Sequence, residues 1–585
     1  MKKTNTLKNI IFLWKYLSKN RKGQFILLAL LMLLSVFAEI VSIGSIIPFL
    51  SVLTNPETIM KSEWVQPILS FLNIHKKEEL LLPVTIGFIV AVIFSMLIRI
   101  LLLWVNGHLS AGMGVDLRRE VYKRTLYQPY EFHISHNSSQ LISIVTEKVG
   151  MAIHAGIMHI LMLMSAFLTS MAIIITLLAI NALVAIVTFL ILGGGYLLIG
   201  YIAKKYIQKN GQIIAENQPL AIKCMQEGLG GIRDIILDNS QNIFINIYSK
   251  VASNIQYAGM RNGLLGSLPK SFLEMLGMVL IAILAYFLAT HGKDKEAVLP
   301  ILGVLAVGAQ KLLPALQQIY FSWSLINSSS PMIEDVVKQL KKPLPSLLTT
   351  SKEENTLGFN SFITLKDISF KYKDTEKFVL KELNLEIHKG TKVGFIGTTG
   401  SGKSTLLDII MGLLEPTKGK LLVDDKKIDK NNLQNWQRYI AHVPQSIFLS
   451  DTTIAENIAF GVPLEKIDMD RVKQAIKRAS LDEFIEQLPN KYLTEVGERG
   501  VQLSGGQRQR IGIARALYKE AKVIVFDEAT SALDNETEKS VMEAINSLSQ
   551  DLTILIIAHR LSTLDDCDVV YELDKGKINA NKRKV

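Results

Sequence analysis

Nine consecutive residues in the C-terminal half have the residue types and the spacing of a phosphate-binding loop. They fit the pattern G-x-x-x-x-G-K-[ST], with a strand-like run at 393–396 before them and a helix-like run at 405–411 after them. Backbone N–H groups of such a loop wrap the phosphates of a nucleotide, and the helix N-terminus adds partial positive charge. In this pattern Lys403 reaches the β- and γ-phosphates and Ser404 can bind Mg²⁺, so we expect ATP and Mg²⁺ as cofactors. The loop residues are Gly397, Thr398, Thr399, Gly400, Ser401, Gly402, Lys403, Ser404 and Thr405.

Two neighbouring carboxylates follow an apolar run at 523–526 and are the next candidates for chemistry. They are Asp527 and Glu528. A carboxylate at the end of a strand beside a phosphate loop can hold Mg²⁺, directly or through water, and the next carboxylate can polarise an attacking water. We therefore predict Asp527 as a metal ligand and Glu528 as the general base of ATP hydrolysis.

The segment Leu503-Ser504-Gly505-Gly506-Gln507 resembles the signature motif of ATP-binding cassette proteins. Further residues resemble the family's other motifs in the family's order, and together they cover most of residues 361–575. Taken alone, an aromatic on a strand or a single histidine would be read as structural; the shared order favours the functional reading. The matches are Tyr372 (adenine-stacking aromatic), Gln445 (Q-loop), 494–500 (a segment of exporters), 531–534 (D-loop) and His559 (switch histidine).

The resemblance implies how these residues act together. ATP would be sandwiched between the phosphate loop of one cassette and the signature residues Ser504, Gly505, Gly506 and Gln507 of another. Lys403 and His559 would contact the γ-phosphate. Ser404, Gln445 and Asp527 would hold the metal, and Gln445 would also connect the nucleotide to the membrane domain. Since all these elements are present in one chain, the expected assembly is a homodimer, with a heterodimer as the alternative.

The N-terminal half must supply the membrane domain, because apolar runs of about 20 residues recur through it and such a run can cross the bilayer. The expected fold is an α-helical transmembrane bundle of six helices, of the exporter type, fused to an α/β P-loop nucleotide-binding domain with a largely parallel sheet. We place the transmembrane domain at 1–330, a linker at 331–358 and the cassette at 359–585. The predicted spans are 24–50, 82–106, 153–180, 182–206, 270–290 and 297–323.

Basic residues predict the orientation in the membrane. The formal net charge is +11, and the residues before the first apolar run include seven lysines and arginines. Because positive residues mark the cytoplasmic side, we expect a multi-pass protein of the bacterial inner membrane with both termini in the cytoplasm. The clustered charge favours membrane lipids as partners and disfavours nucleic acid.

Two segments between predicted spans interrupt long helical patterns, at 127–132 and 227–234. By resemblance they look like the coupling helices that dock onto the cassettes; ordinary cytoplasmic loops are the alternative. A third segment, at 57–74, has an apolar helical face and is expected at the outer membrane interface or packed on the bundle.

Ionisable residues inside the apolar runs are candidates for contact with cargo, because charge at membrane depth is costly. They either pair within the bundle or extend to the membrane surface, or they form a partly basic cavity for an anionic cargo. Their surroundings, including Ile47-Pro48-Phe49 and Leu268-Pro269-Lys270, are similar to the lipid-linked oligosaccharide flippases of bacterial glycosylation, although arginine is expected there in place of Lys270 and Lys311. The residues are Glu39, Arg99, Lys270, Glu274 and Lys311.

The leading hypothesis is an ATP-driven flippase that moves a polyprenyl-pyrophosphate glycolipid from the cytoplasmic to the outer leaflet. The alternative cargo is another amphipathic molecule: a lipid A-like glycolipid, a peptide or a drug. An alternative class, a regulatory cassette protein without transport, is disfavoured by the membrane spans and by Glu528 and the intact signature motif.

Overall fold

The chain forms two units in the computed structural model, Met1–Tyr127 with His136–Pro343, and Gln128–Ser135 with Leu344–Val585. The residues described are 6–54, 77–180, 182–291, 295–344, 357–373, 375–527, 543, 552–558 and 564–583. Several predicted features therefore lie outside the described residues: Glu528, the D-loop at 531–534, His559, the amphipathic segment at 57–74 and the linker residues 345–356.

The described residues up to Lys341 are mostly helical. Two stretches of the third apolar region, Ile144–Lys148 and Ala152–Met158, have π-helical rather than α-helical turns. A short 3₁₀ turn, Trp14–Tyr16, follows the first helix. The α-helices are α1 (Thr6–Leu13), α2 (Lys19–Gly44), α3 (Ile46–Thr54), α4 (Lys77–Leu126), α5 (Tyr130–Ser135), α6 (Ser138–Ser143), α7 (Val149–Met151), α8 (His159–Ile180), α9 (Ala182–Gly230), α10 (Ile232–Leu237), α11 (Gln241–His291) and α12 (Lys295–Lys341).

Within the described residues, four helical stretches are long and apolar enough to cross a membrane. They contain most of the first four predicted spans. The last two predicted spans, 270–290 and 297–323, fall in α11 and α12, where the chain is described in part. The four stretches are Lys19–Leu53, Glu79–Leu126, Ser138–Ala179 and Phe189–Gly230.

The first apolar run differs from a single uninterrupted helix, because the structure divides it at Ser45 into α2 and α3. Pro48 has no N–H to donate to the carbonyl of Gly44, and proline fits the first turn of a helix without the loss of an intrahelical hydrogen bond. A new helix that begins at Ile46 places Pro48 in such a first turn. Ser45 Oγ donates to the carbonyl of Ser42, 2.9 Å away, at the break.

Long helices of the first unit pack around apolar clusters, of which two are the larger ones among the described residues. One joins α1, α2, α4, the π-helical stretches and the end of α12, with Leu13, Met113 and Val336 fully buried. The other joins α2, α8, α9, α11 and α12 through residues such as Ile43 and Leu312. A buried polar chain links three helices as well, since Asn210 donates to Asn262 (2.9 Å) and Asn262 donates to Ser328 (2.6 Å).

Two sheets form the second unit. The larger has the strand order β10-β9-β3-β8-β7-β6, in which only the edge strand β10 is antiparallel. The smaller has the order β2-β1-β4-β5 and is antiparallel throughout. The strands are β1 (Phe362–Phe370), β2 (Leu380–His388), β3 (Lys392–Ile396), β4 (Lys418–Val423), β5 (Lys426–Lys427), β6 (Ile440–Val443), β7 (Val523–Asp527), β8 (Thr553–Ile557), β9 (Val569–Asp574) and β10 (Lys577–Arg583).

The expectation of one largely parallel sheet is therefore correct for the larger sheet and wrong for β1. That strand pairs with β2 and β4, whose residues face one layer of core with alternate buried and exposed side chains, as in a half-buried antiparallel sheet. The helices of this unit are α13 (Lys403–Ile410), α14 (Leu433–Arg438), α15 (Ile454–Ile458), α16 (Met469–Arg478), α17 (Asp482–Glu486) and α18 (Gly505–Tyr518).

Candidate functional site

The phosphate loop connects β3 to α13, as predicted, and it depends on glycine at two positions. The backbone of Gly397 has φ 148° and that of Gly402 has φ 105°, which L side chains rarely adopt. A Cβ on Gly397 would lie 2.2 Å from the carbonyl oxygen of Leu573, and one on Gly402 would lie 2.8 Å from Leu380 Cδ2. The loop therefore has no room for side chains at either end.

Lys403 and Ser401 are buried within this loop, whereas its tip is open. Lys403 Nζ donates to the carbonyls of Gly397 (2.7 Å) and Thr398 (3.1 Å), which holds the ammonium group across the loop. Ser401 is 2% exposed, and its Oγ has no hydrogen-bond partner among the described atoms. Thr398, Thr399, Gly400 and Ser404 are exposed. This cradle of backbone amides with a buried lysine fits the phosphates of ATP.

Three strand ends meet beside the loop. In the parallel sheet Phe395 of β3 and Asp527 of β7 are both in register with Ile557 of β8, which lies between the two strands. Their carboxyl ends consequently share one edge, and the phosphate loop and Asp527 come together there. Glu528 directly follows β7 and His559 follows β8 by two positions, although both lie outside the described residues.

Gln445 belongs to the same edge. It is exposed and lies two residues beyond β6, whose last residue, Val443, is in register with Phe526 of β7. For Mg²⁺ the edge offers the hydroxyl of Ser404 and the carboxylate of Asp527, oxygen ligands of the kind that this ion prefers. Within the described part of the chain no group of three or more acidic, histidine or cysteine side chains could form a metal cage. This donor set fits an ion that is held largely by nucleotide phosphates and water.

Asp408 is a further carboxylate of this site that sequence analysis missed. Burial raises the pKa of Asp408 to about 6, and the negative charge of Asp527 adds to the effect. The signal was present in the sequence, because Asp408 stands four residues after Ser404 and positions i and i+4 share one face of a helix.

Tyr372 lies next to the phosphate-loop helix. Its hydroxyl is 3.2 Å from Thr405 Oγ1, and its ring packs edge-on against Phe370 at a centroid distance of 5.0 Å. The side chain is half-buried, so part of the ring is accessible. These contacts fix the aromatic ring beside the loop.

The first of the two predicted cross-pieces, at 127–132, leads into the short helix α5, and Gln128–Ser135 cluster with the second unit. Glu131 Oε2 lies 3.0 Å from Lys373 Nζ, in the turn that carries Tyr372. Burial and the charges of Asp408 and Tyr372 raise the pKa of Tyr130. The helix therefore contacts the turn that carries Tyr372. The second cross-piece, at 227–234, spans the end of α9 and the start of α10 in the first unit.

The signature residues form the start of α18 and face outward. Ser504 Oγ accepts from the backbone N–H of Gln507 (3.2 Å), and Gln507 Oε1 accepts from the N–H of Ser504 (2.8 Å), which makes a capping box. Ser504 and Gly505 are exposed, and a Cβ on Gly505 would meet nothing within 4 Å. The open helix start suits an anion delivered from outside this chain, whereas the Gln507 side chain is already engaged in the cap.

Most of the ionisable residues in the predicted spans are paired. Lys311 Nζ lies 3.0 Å from Glu39 Oε1 and donates to Ser42 Oγ (2.9 Å), and Ser95 donates to Glu39 Oε2 (2.8 Å). Lys270 lies 3.8 Å from Glu274, one helical turn away. Arg99 is exposed and has no ion pair among the described residues. Pairing within the bundle is therefore observed for Glu39, Lys270, Glu274 and Lys311.

A polar cavity of about 1140 Å³ lies elsewhere in the first unit. Its basic side chains include Lys148, which forms an ion pair with Asp335 (2.5 Å), and Lys338, which pairs with Glu334 (3.1 Å). Amide side chains supply many of its other polar groups. They are Gln140, Gln208, Gln212, Asn327 and Gln339.

Comparisons with known proteins agree with this geometry. A family model for the ABC transporter matches residues 380–531, and one for the ABC transporter transmembrane region matches residues 25–301. The chain is 31% identical over 498 residues to an ATP-dependent lipid A-core flippase of Cupriavidus metallidurans, covering 82% of this chain and 81% of the relative. A relative of the same name in Pseudomonas aeruginosa is 30% identical over 470 residues, with 80% and 77% covered.

A solved structure of a bacterial Atm1-family ABC exporter with ATP bound is similar with a TM-score of 0.79 and 22% identity, covering 96% of both chains. At that identity the likeness concerns the fold. Together with the family models it confirms the predicted fold class, a helical transmembrane region fused to an α/β nucleotide-binding domain.

Proposed function

This chain belongs to the ABC transporter family, as a half-transporter with ATPase activity, and from that premise we propose that it is a flippase for an anionic glycolipid. It would move the lipid from the cytoplasmic to the outer leaflet of the bacterial inner membrane by ATP hydrolysis and alternating access. The leading cargo is a polyprenyl-pyrophosphate-linked oligosaccharide.

The observation that carries the coupling of ATP to transport is the contact of α5 with the candidate ATP site. This helix follows α4 after Tyr127, and α4 contains a candidate membrane span. Glu131 contacts Lys373 beside the adenine aromatic Tyr372. A change at the nucleotide thus has a short mechanical route to a transmembrane helix.

The proposed roles at the ATP site follow from the edge where the strands end. Lys403 binds the β- and γ-phosphates, and Ser404, Asp527 and Gln445 hold Mg²⁺, which when bound neutralises developing charge on the phosphates. Glu528 takes a proton from the attacking water, and His559 contacts the γ-phosphate. Tyr372 stacks on adenine.

A head-to-tail homodimer completes the site. The exposed helix start at Ser504, Gly505 and Gly506 supplies N–H groups to the ATP of the other protomer, and the unoccupied Cβ space at Gly505 allows a close approach. A heterodimer with another half-transporter is the alternative assembly. The basic N-terminus supports a cytoplasmic location of both termini.

The polar cavity of the first unit supports a glycosylated headgroup. Its volume of about 1140 Å³ exceeds the pockets that hold drug-sized ligands, which reach roughly 1,000 Å³. Amides donate and accept hydrogen bonds, so they suit sugar hydroxyls, and Lys204 and Lys342, which also line the cavity, suit phosphate.

A lipid A-core glycolipid is the second candidate cargo, and the specific observation in its favour is the name of the relatives at 30–31% identity. Both candidates combine phosphate, sugar and long apolar chains. They differ in the lipid, because one carries a single polyprenyl chain and the other several acyl chains.

Reconstitution tests the proposal. The purified chain in lipid vesicles, supplied with ATP and either glycolipid, is assayed for movement of the glycan to the far leaflet, with Glu528→Gln as the matched inactive control. Movement by the wild type and none by the variant would support the flippase. Hydrolysis of ATP without movement of either lipid would exclude both cargoes, and preference for one lipid would decide between them.

A further inference from the structure

An apolar groove of about 400 Å³ lies between the N-terminal helix α1, the start of α2 and the third apolar region. Its volume falls within the range of about 300–1,000 Å³ that is usual for ligand pockets. Nothing in the proposed transport function uses it. Its main lining residues are Leu7, Ile11, Trp14, Phe25, Ile160 and Met164.

The groove wall on α1 is a single helical face. Leu7, Ile10 and Ile11 of α1 follow the spacing i, i+3, i+4, and Trp14 of the next 3₁₀ turn extends this wall, whereas Leu13 on another face is fully buried in the core. Leu7 is 67% exposed and Ile11 is 60% exposed, so this face is open. The rings of Trp14 and Phe25 meet edge-on at 4.4 Å.

Two basic side chains follow members of this face in the sequence. Lys8 follows Leu7 in α1, Lys15 follows Trp14 in the 3₁₀ turn, and both are exposed. No acidic residue precedes Glu39 in the sequence. The segment that carries this groove wall is therefore basic and contains no acidic residue.

The groove continues into the lipid-facing surface of the first span. Ile26, Leu27 and Leu30 of α2 follow Phe25 and are exposed by 60% or more. An apolar surface of a transmembrane helix that is open in this way faces hydrocarbon. A chain in the groove would thus be continuous with the bilayer, while the lysines lie at headgroup level.

We propose that this groove is a binding site for an anionic phospholipid of the cytoplasmic leaflet. One acyl chain lies along Leu7, Ile11 and Met164, and the phosphate lies beside Lys8 and Lys15. The assignment rests on the proposed cytoplasmic location of the N-terminus and is independent of the cargo. Charge complementarity selects an anionic over a zwitterionic lipid.

Native mass spectrometry of the purified full-length chain tests the site, with phosphatidylglycerol and phosphatidylcholine of matched acyl chains added separately. We expect retained phosphatidylglycerol in preference to phosphatidylcholine. Met164→Trp fills the groove and should lower the apparent association constant for phosphatidylglycerol about tenfold, the change expected when burial of roughly two methylene groups is lost.

Two matched controls accompany the experiment. Met171→Trp makes the same change on the same helix outside the groove, at a residue of similar exposure (45% against 44%), and should bind like the wild type. Lys8→Glu with Lys15→Glu should remove the preference for the anionic lipid, whereas Lys466→Glu with Lys477→Glu, the same charge change in the nucleotide-binding unit, should keep it.

Three outcomes would overturn the assignment. They are equal binding of both phospholipids by the wild type, unchanged binding by Met164→Trp, and displacement of phosphatidylglycerol by a polyprenyl-pyrophosphate glycolipid, which would make the cargo the occupant. ATPase activity of each variant in detergent reports folding. Because the readout is lipid retention, a failed flippase assay leaves this result unaffected.

Discussion

Lys311 and Glu39 form an ion pair, with Lys311 Nζ 3.0 Å from Glu39 Oε1, between α12 and α2. The same lysine donates to Ser42, from which it is separated by 269 residues in sequence. Since each charge compensates the other inside apolar helices, the two residues act as one neutral polar unit.

Replacing one member of this ion pair should destabilise the protein more, per substitution, than replacing both members together. We expect Lys311→Met and Glu39→Gln each to lower the free energy of unfolding by about 1–3 kcal/mol, because each leaves a partly buried charge without its partner. The double variant should be more stable than the sum of the single effects predicts. Thermal unfolding of the purified variants measures this coupling, and additive losses would contradict it.

Lys403→Met should lower ATP hydrolysis by about 10²–10³-fold, the effect typical of removing one preorganised donor to a developing charge. The affinity for ATP should fall as well. Hydrogen bonds to the carbonyls of Gly397 and Thr398 hold the Lys403 ammonium group within the phosphate loop, where it can contact bound nucleotide. Lys392→Met provides a control on the strand before the loop. Hydrolysis within threefold of the wild type would exclude the assigned role.

Two glycine substitutions should separate folding from catalysis. Gly402→Ala should destabilise the nucleotide-binding unit by about 1–3 kcal/mol, because its φ of 105° and the contact with Leu380 both oppose a side chain. Gly505→Ala has free space and should leave thermal stability unchanged. If Gly505 approaches ATP of the other protomer, ATPase should nonetheless fall; normal activity would argue against that approach.

Stability should depend on the protonation of Asp408. Its pKa of about 6 lies above the value of roughly 4 in an unfolded chain, so the folded state binds the proton more strongly. Stability from this group is therefore present below pH 4 and is lost as pH rises through about 6. After allowance for its partial exposure, Asp408→Asn should stabilise the nucleotide-free protein by about 1 kcal/mol at pH 8.

The same substitution should have little effect near pH 4, where the wild-type carboxyl is already neutral. Thermal unfolding at several pH values gives the difference curve. Asp451→Asn, the same change at an exposed position, is the control. A constant difference between Asp408→Asn and the wild type across this range would show that the titration of Asp408 is not its cause.

Glu131 and Lys373 offer a test of coupling. Glu131→Lys should change stability by less than about 1 kcal/mol, because Lys373 is 78% exposed and exposed ion pairs contribute little. It should reduce cargo movement more than ATP hydrolysis, since it repels α5 from the adenine side of the site. Adding Lys373→Glu should restore movement. Parallel loss of hydrolysis and movement, without rescue, would contradict a coupling role.

Short-range spacing made much of the ATP site predictable. The phosphate loop, the strand before Asp527 and the capping residue Ser504 each depend on neighbours within a few positions, and their local structures follow the sequence. The antiparallel pairing of β1 with β4 could not be predicted in the same way, because it joins segments about fifty residues apart. Strand pairing is set by tertiary packing more than by local propensity.

The ion pair between Glu39 and Lys311 could not be predicted from the sequence for the same reason. Glu39 and Lys311 each lie in an apolar run, and spacing gives no sign that their helices are neighbours. Lys270 and Glu274 are four positions apart, and their pairing was accessible from helical geometry. Asp408 shows the opposite case, in which the spacing was visible but the approach of Asp527 was not.

The two π-helical stretches, of which the first ends at Lys148, change the direction in which the side chains of the third apolar region point, compared with a continuous α-helix. A π turn closes its hydrogen bond over one residue more than an α turn. Converting one π-helical stretch to α-helix would therefore rotate the helix that follows it by about 100°. Lys148 ends the first stretch and is tied to Asp335, 2.5 Å away. That ion pair ties the end of the first π-helical stretch to α12, and any change in the rotation of the third apolar region would have to carry Lys148 away from Asp335.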